Sequence, residues 1–253
     1  MAGYKFVALT ELESLQALLQ AECSQLALKG TILLSGEGIN VSLAGLPENI
    51  TAFKTYLQAN ETLSDLKFHE TYSSAQPFRT LKVKIKDEII TLRQPAVNPD
   101  TQRAPHVSPE EFKQWLDENR EMTVLDTRND YEVRFGTFKN AVNLHIDNFG
   151  EFPAAAEQLD RDKPIVMFCT GGIRCEKAAF YLLSQGFAEV RQLDGGILGY
   201  FAKVGGAHYE GECFVFDERV SVNAELNPTG TVQCQVCQGP IVVADMTTCP
   251  RCC

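Results

Sequence analysis

Apolar and polar positions follow one set of rhythms up to about residue 93 and another from about residue 108. In the first stretch "YKFVAL" predicts a strand, and Leu12, Leu15, Leu18 and Leu19 recur at helical spacing behind Thr10 and Glu13, which predict a capping box. "GTILLS" and "INVSLAG" predict two strands joined at "GEG", and "LPENITAFKTYLQAN" returns to helical spacing. After "DLKFHETY", Leu81, Val83 and Ile85 alternate with Lys82, Lys84 and Lys86, the period of a half-buried strand. The order βαββαβ predicts a ferredoxin-like α+β domain over residues 1–93.

"RQPAVNPDTQRAPHVSP" carries four prolines and no period, which predicts a linker over 94–107. A new helix is then announced by Ser108 as N-cap, Pro109 at the first helical position and Glu111 completing a capping box. Beyond it, "MTVLDTR", "AVNLHI", "KPIVMFC" and "AEVRQLDGG" read as strands. Between them lie the helical stretches "NDYEVRFG", "FPAAAEQL" and "CEKAAFYLLSQG", the last closed by Gly186. Strands alternating with helices predict an α/β domain over 108–205, with a mainly parallel sheet covered on both faces. The pattern loosens after Gly206, leaving a C-terminal extension, 206–253, that ends in "CQVCQGPIVVADMTTCPRCC".

Composition narrows the setting. No apolar run approaches the roughly 18 residues of a membrane span, and the first residues lack the apolar core of a secretory signal. A cytoplasmic protein is the expectation. Thiols stay reduced there, so nine cysteines read as catalytic, metal-binding or buried before they read as disulfides. A net charge of −10 argues against indiscriminate nucleic-acid binding. Between Lys67 and Arg93 cations outnumber anions, so Lys82, Lys84 and Lys86 are the candidate RNA contacts, with a solvated strand face as the plainer alternative. His69, His106, His145 and His208 are scattered without metal-ligand spacing.

The densest chemistry lies in "CTGGIRCEKA". Cys169 closes an apolar strand and the following residues open a helix, so its thiol falls at the carboxyl edge of a parallel sheet, where ligand crevices form. Gly171 and Gly172 let the turn curl so that backbone N–H groups converge. The helix N-terminus and Arg174 add positive charge, and together these favour an anion on sulfur at Cys169. Cys175 is a second thiol six residues on, read as a resolving group, as itself the reactive one, or as a packed cysteine of the first helical turn. Asp126 and Arg128 end a neighbouring strand at the same edge, either contributing charge to the site or forming a structural ion pair.

"VLDTRNDYEVRFGTFKNAVNLHI", "IVMFCTGGIRCEKA" and "QLDGGI" together resemble the rhodanese domain, in which the cysteine opening such a loop carries a persulfide. With "GTILLSGEGINVSLAG", "FVFDERVSVN" and the terminal cysteine pairs, the whole chain resembles the rhodanese-related tRNA uridine hydroxylases. That resemblance implies 5-hydroxyuridine formation at the wobble position of tRNA with molecular oxygen as co-substrate, and Cys169 as the essential residue. It leaves the reductant open. A sulfurtransferase carrying a persulfide and a non-catalytic rhodanese-fold binding module are the rival readings.

Cys234-x-x-Cys237 and Cys249-x-x-Cys252 have the pairing of a four-thiolate structural zinc site. Free thiols are the alternative, because eleven residues between the pairs are few for a zinc ribbon and Cys253 competes as a ligand.

Overall fold

In the computed structural model of this protein the described residues are 1–100, 104–241, 249 and 252. The chain divides into two units, Met1–Thr91 and Leu92–Cys253. The first contains β1 (Ala2–Phe6), α1 (Leu12–Gln25), β2 (Lys29–Ser35), β3 (Gly38–Ala44), α2 (Pro47–Gln58) and β4 (Leu81–Ile85), the predicted α+β order. Its sheet runs β1-β3-β2-β4, with β3 antiparallel to both neighbours and β4 parallel to β2. Ile32, Leu34, Ile39, Val41 and Val83 of the sheet bury one apolar face against Leu19 and Cys23 of α1 and Phe53 and Leu57 of α2.

One local expectation differs. The Thr10 capping box is not formed: Glu11 stands at the N-cap with φ 51° and no side-chain cap. The cause is upstream, where the N–H groups of Val7 and Leu9 bond to the carbonyls of Glu37 and Gly36 and hold the chain extended along the hairpin. In "DLKFHETY", His69 makes an isolated bridge to Ala2. The "GEG" turn is a hairpin connection. Gly38 is required there because a Cβ would stand 2.1 Å from the Lys5 carbonyl oxygen of β1.

The second unit opens with β5 (His106–Val107) and α3 (Pro109–Asp117), whose cap is the predicted one, Ser108 accepting from the Glu111 N–H at 3.1 Å. There follow β6 (Thr123–Asp126), α4 (Asp130–Val133), β7 (Gly136–Phe138), β8 (Val142–Asn143), α5 (Phe152–Ala155), β9 (Ile165–Phe168), α6 (Ile173–Ser184), β10 (Val190–Leu193) and α7 (Gly196–Val204). β5, β10, β9, β6 and β8 make a parallel sheet in that order, with β9 at its centre. Val166 and Phe168 of β9 join α3 and α7 in one core through Phe112, Trp115, Ile197 and Tyr200, while α6 lies against β9 and β10. Of the stretch read as a linker, Val97, Ala104 and Val107 are buried.

The extension after Gly206 is packed, contrary to its loose sequence pattern. β11 (Tyr209–Gly211) pairs antiparallel with β7, and β12 (Cys213–Phe214) with β13 (Ser221–Val222). Cys213, Val215 and Val222 enter the core of the parallel sheet. Glu212 ties the segment together by accepting from Ser221, Thr229 and Thr231 at 2.7–3.0 Å. β14 (Val232–Gln233) and β15 (Pro240–Ile241) then form a small hairpin around the first cysteine pair.

Candidate active site and cysteine cluster

The apolar run of β9 carries the chain to the centre of the sheet's carboxyl edge and stops at Cys169. Gly172 then takes φ 101°, a backbone state that side chains disfavour, and α6 starts immediately after it. This curl aims the Gly172 N–H at the Cys169 sulfur, at 3.1 Å. The loop is also held from behind. Ile197 and Leu198, at the start of α7, donate to the carbonyls of Cys169 and Thr170 at 2.9 and 3.1 Å. Gly196 permits that approach, since a Cβ there would meet the Cys169 oxygen at 2.4 Å.

Burial alone raises a thiol, and Cys169 is 1% exposed. Yet its pKa falls well below the usual thiol value. A hydrogen bond from Cys175, the charge of Arg174, and the backbone N–H groups of Arg174 and Gly172 outweigh burial. Cys175 moves the other way, raised by burial and by donating to Cys169. The proton therefore rests on Cys175 and the negative charge on Cys169. Thr127 stands 3.6 Å from the Cys175 sulfur while donating to the Phe168 carbonyl at 3.0 Å. Cys23 and Cys213 show the contrast, since burial leads both of them up to about 12.

Arg174 is buried and held by Glu132, also buried, through two hydrogen bonds at 2.5 and 2.8 Å. Glu132 is the capping-box residue of α4, its Oε1 accepting from the Asn129 N–H. Asp126 and Arg128 form a fully buried ion pair: Arg128 donates through its backbone N–H, Nε and Nη2 at 3.0, 2.9 and 2.6 Å. Arg128 also donates to the Gly136 carbonyl and Thr137 donates to Asp126, so the pair fastens β7 to the end of β6.

At the other end of the unit, the sulfurs of Cys234, Cys237, Cys249 and Cys252 lie within 4.8 Å of one another. Two of the separations are 3.5 Å (Cys234 to Cys252) and 3.6 Å (Cys237 to Cys249), near the roughly 3.8 Å edge of a tetrahedron with zinc–sulfur bonds of about 2.3 Å. The Cys237 and Val236 N–H groups lower the Cys234 thiol to about 6. The knuckle closes through Cys234 N–H to Gly239 and Gln238 N–H to Cys234. The donor set fits a soft, four-coordinate ion. Cys253 lies outside the described residues.

In the first unit, Lys82, Lys84 and Lys86 are exposed at and just beyond β4. The four histidines form no metal-binding group among the described residues.

Comparison with known proteins agrees with both units. Residues 1–89 match the UPF0176 acylphosphatase-like domain and residues 108–203 the rhodanese-like domain. A protein of Cupriavidus pinatubonensis named tRNA uridine(34) hydroxylase is 44% identical, covering 100% of this chain and 95% of its own length. Proteins of the same name from Cupriavidus taiwanensis (47% identical; 95% of this chain and 88% of the relative) and Burkholderia pseudomallei (46%; 100% and 90%) agree. The chain belongs to the tRNA uridine(34) hydroxylase family.

In this family member the structure brings Cys169, Gly172, Arg174 and Cys175 together as the sequence suggests, with Asp126 and Arg128 behind them. Gly171 lies in the same loop with nothing near its missing Cβ. Glu132 and Thr127 belong to the site but escaped the sequence reading. "NDYE" carries the capping signal for Glu132; nothing local announces that it also pairs with Arg174, 42 positions on.

Proposed function

We propose that this protein hydroxylates the wobble uridine of tRNA to 5-hydroxyuridine, with molecular oxygen as co-substrate and Cys169 as the essential residue. The observation that carries the proposal is a thiol pulled toward its anion by Cys175, Arg174 and two loop amides, in a chain whose relatives over its full length are named tRNA uridine(34) hydroxylase. The reaction puts one oxygen atom on C5 of the uracil ring and releases the other as water, so two electrons and two protons must come from a reductant. The chain's part is to keep Cys169 deprotonated, with Arg174 fixed beside it by Glu132 and the loop backbone fixed by α7. A base acted on here must first leave its stack. tRNA as substrate places the protein in the cytoplasm, and no helix of the described residues is long and apolar enough to cross a membrane.

Two supporting roles complete the proposal. The four terminal cysteines hold a structural zinc ion, which would supply cross-linking of the extension and no chemistry. Lys82, Lys84 and Lys86 contact the RNA backbone.

The experiment is complementation of a strain lacking its own hydroxylase. Cys169→Ala should abolish 5-hydroxyuridine in tRNA nucleosides while the protein remains folded, and undiminished modification would sink the role. Anoxic growth should also abolish it. Sulfur transfer is the second reading, favoured by the same stabilised thiolate, which suits a persulfide. It gains if modification survives without oxygen, or if thiosulfate loads a sulfur on Cys169 that passes to an acceptor.

A further inference from the structure

Between β12 and β13 a phenylalanine is presented to solvent beside the thiolate loop. Phe216 is 60% exposed, whereas Phe214 and Phe135 are 5% exposed. The rings form a continuous series: Phe135 meets Phe214 at 5.1 Å, Tyr131 meets Phe214 edge to face at 5.4 Å, and Phe214 meets Phe216 at 5.2 Å and 90°. Phe216 is the outermost member. The Arg174 guanidinium lies 5.9 Å from its ring centre, and the backbone N–H of the same Arg174 donates to Cys169. One residue therefore touches both the exposed ring and the reactive sulfur.

The loop is stiff. Asp217 accepts from the Arg219 backbone N–H, Nε and Nη2 at 3.0, 2.8 and 2.5 Å, and both side chains of this clamp are largely buried. Val215 and Val220 donate to the carbonyls of Val220 and Asp217 and close the turn. A large ring held mostly in water by a rigid turn contributes to the fold only through its edge contact with Phe214 and its approach to Arg174. Its neighbours in sequence are the buried Val215 on one side and the polar Asp217 and Glu218 on the other, so no second exposed apolar side chain adjoins it in the turn. A protein interface would call for a patch; a single planar ligand needs one ring.

We infer that Phe216 is a stacking platform for a pyrimidine base turned out of an RNA loop, holding it on the ring face opposite Arg174, beside the thiolate loop. This rests on the proposed action on tRNA uridine. Stacking suits the task because every base offers a π-face, and the Arg174 guanidinium over the other face of the ring helps to fix the ring's position.

The test is a binding cycle in which the full-length protein, with Phe216 or Phe216→Ala, meets an anticodon stem-loop carrying either uridine or an abasic residue at the wobble position. Phe216→Ala should weaken binding of the uridine stem-loop by about tenfold, the usual order for one stacked base, and leave the abasic one unchanged. Phe216→Trp should retain the preference, and Phe216→Leu, which keeps the apolar bulk, should lose it. Equal weakening on both RNAs, or full retention by leucine, would overturn the platform. So would unchanged RNA binding combined with loss of modification in cells, which would assign the ring to a protein partner. If Cys169→Ala leaves modification intact, the chemistry proposed above falls, but the uridine-dependent loss at Phe216 is read from binding alone and stands or falls separately.

Discussion

Cys169 and Cys234 each sit on a tight turn with backbone N–H groups aimed at the sulfur, and each thiol is shifted down. Their surroundings are opposite. Cys169 is central in a parallel sheet, with one protonated thiol and one buried guanidinium beside it. Cys234 belongs to a small hairpin near the chain end and has three sulfurs within 4.8 Å and no cation in the set. A single thiolate compensated by fixed donors is a nucleophile. Backbone donors lower the Cys234 thiol and Arg134 donates to the Cys237 carbonyl, but ionising all four thiols together calls for more positive charge, the condition a divalent metal meets. The same turn chemistry suits a stabilised thiolate in one place and a metal-ligand set in the other, and the two differ in the source of positive charge.

The sharpest way to break that comparison is to remove what holds the cation at the first site. Glu132→Ala strips Arg174 of its partner in a buried pair, and the cost should be about 3–5 kcal/mol, read as a fall in the unfolding temperature of the second unit. A surface-like loss of under about 1 kcal/mol would show the pair to be dispensable. Chelation comes next. It should empty the terminal cluster, measured as loss of about one zinc per chain by elemental analysis and as faster proteolysis after β13. It should leave the Cys169 titration where it was.

That titration is the third test. With its pKa lowered, Cys169 is ionised at neutral pH, and its thiolate ultraviolet absorbance should disappear as the pH falls through the shifted value, below the ordinary thiol range. The sign is opposite for Cys175, which should stay protonated above that range. Cys175→Ala removes a donor to the Cys169 sulfur, so the Cys169 midpoint should move up; a downward move would reverse the assignment of the proton. The smallest effect is expected at Arg134, which donates to the Cys237 carbonyl at 3.2 Å. Arg134→Met should loosen metal retention a few-fold at most, measured by competition with a chromophoric chelator.

Much of the thiolate site was legible because its parts are consecutive. A strand that ends in Cys169, two glycines, a cation and a helix lie within ten residues, so local rules suffice. Glu132 was not legible, because its second role depends on a partner from another βα unit. Thr10 misled for a related reason: its capping pattern is correct locally, but hydrogen bonds to the β2–β3 hairpin hold the approach to the helix extended. The packed extension was missed because strands of two or three residues are too short to display a period, and its anchor Glu212 reads as an ordinary surface acid.

The sequence Asp-x-Arg occurs at 126–128 and again at 217–219, and both copies fold into the same three-pronged grip of guanidinium and amide on one carboxylate. Because donor and acceptor are two positions apart, each grip can close within a pentapeptide, before any long-range packing exists. The same corner thus stands both in the dry interior and near water, and a lysine in either copy, lacking the planar fork, would leave the corner open.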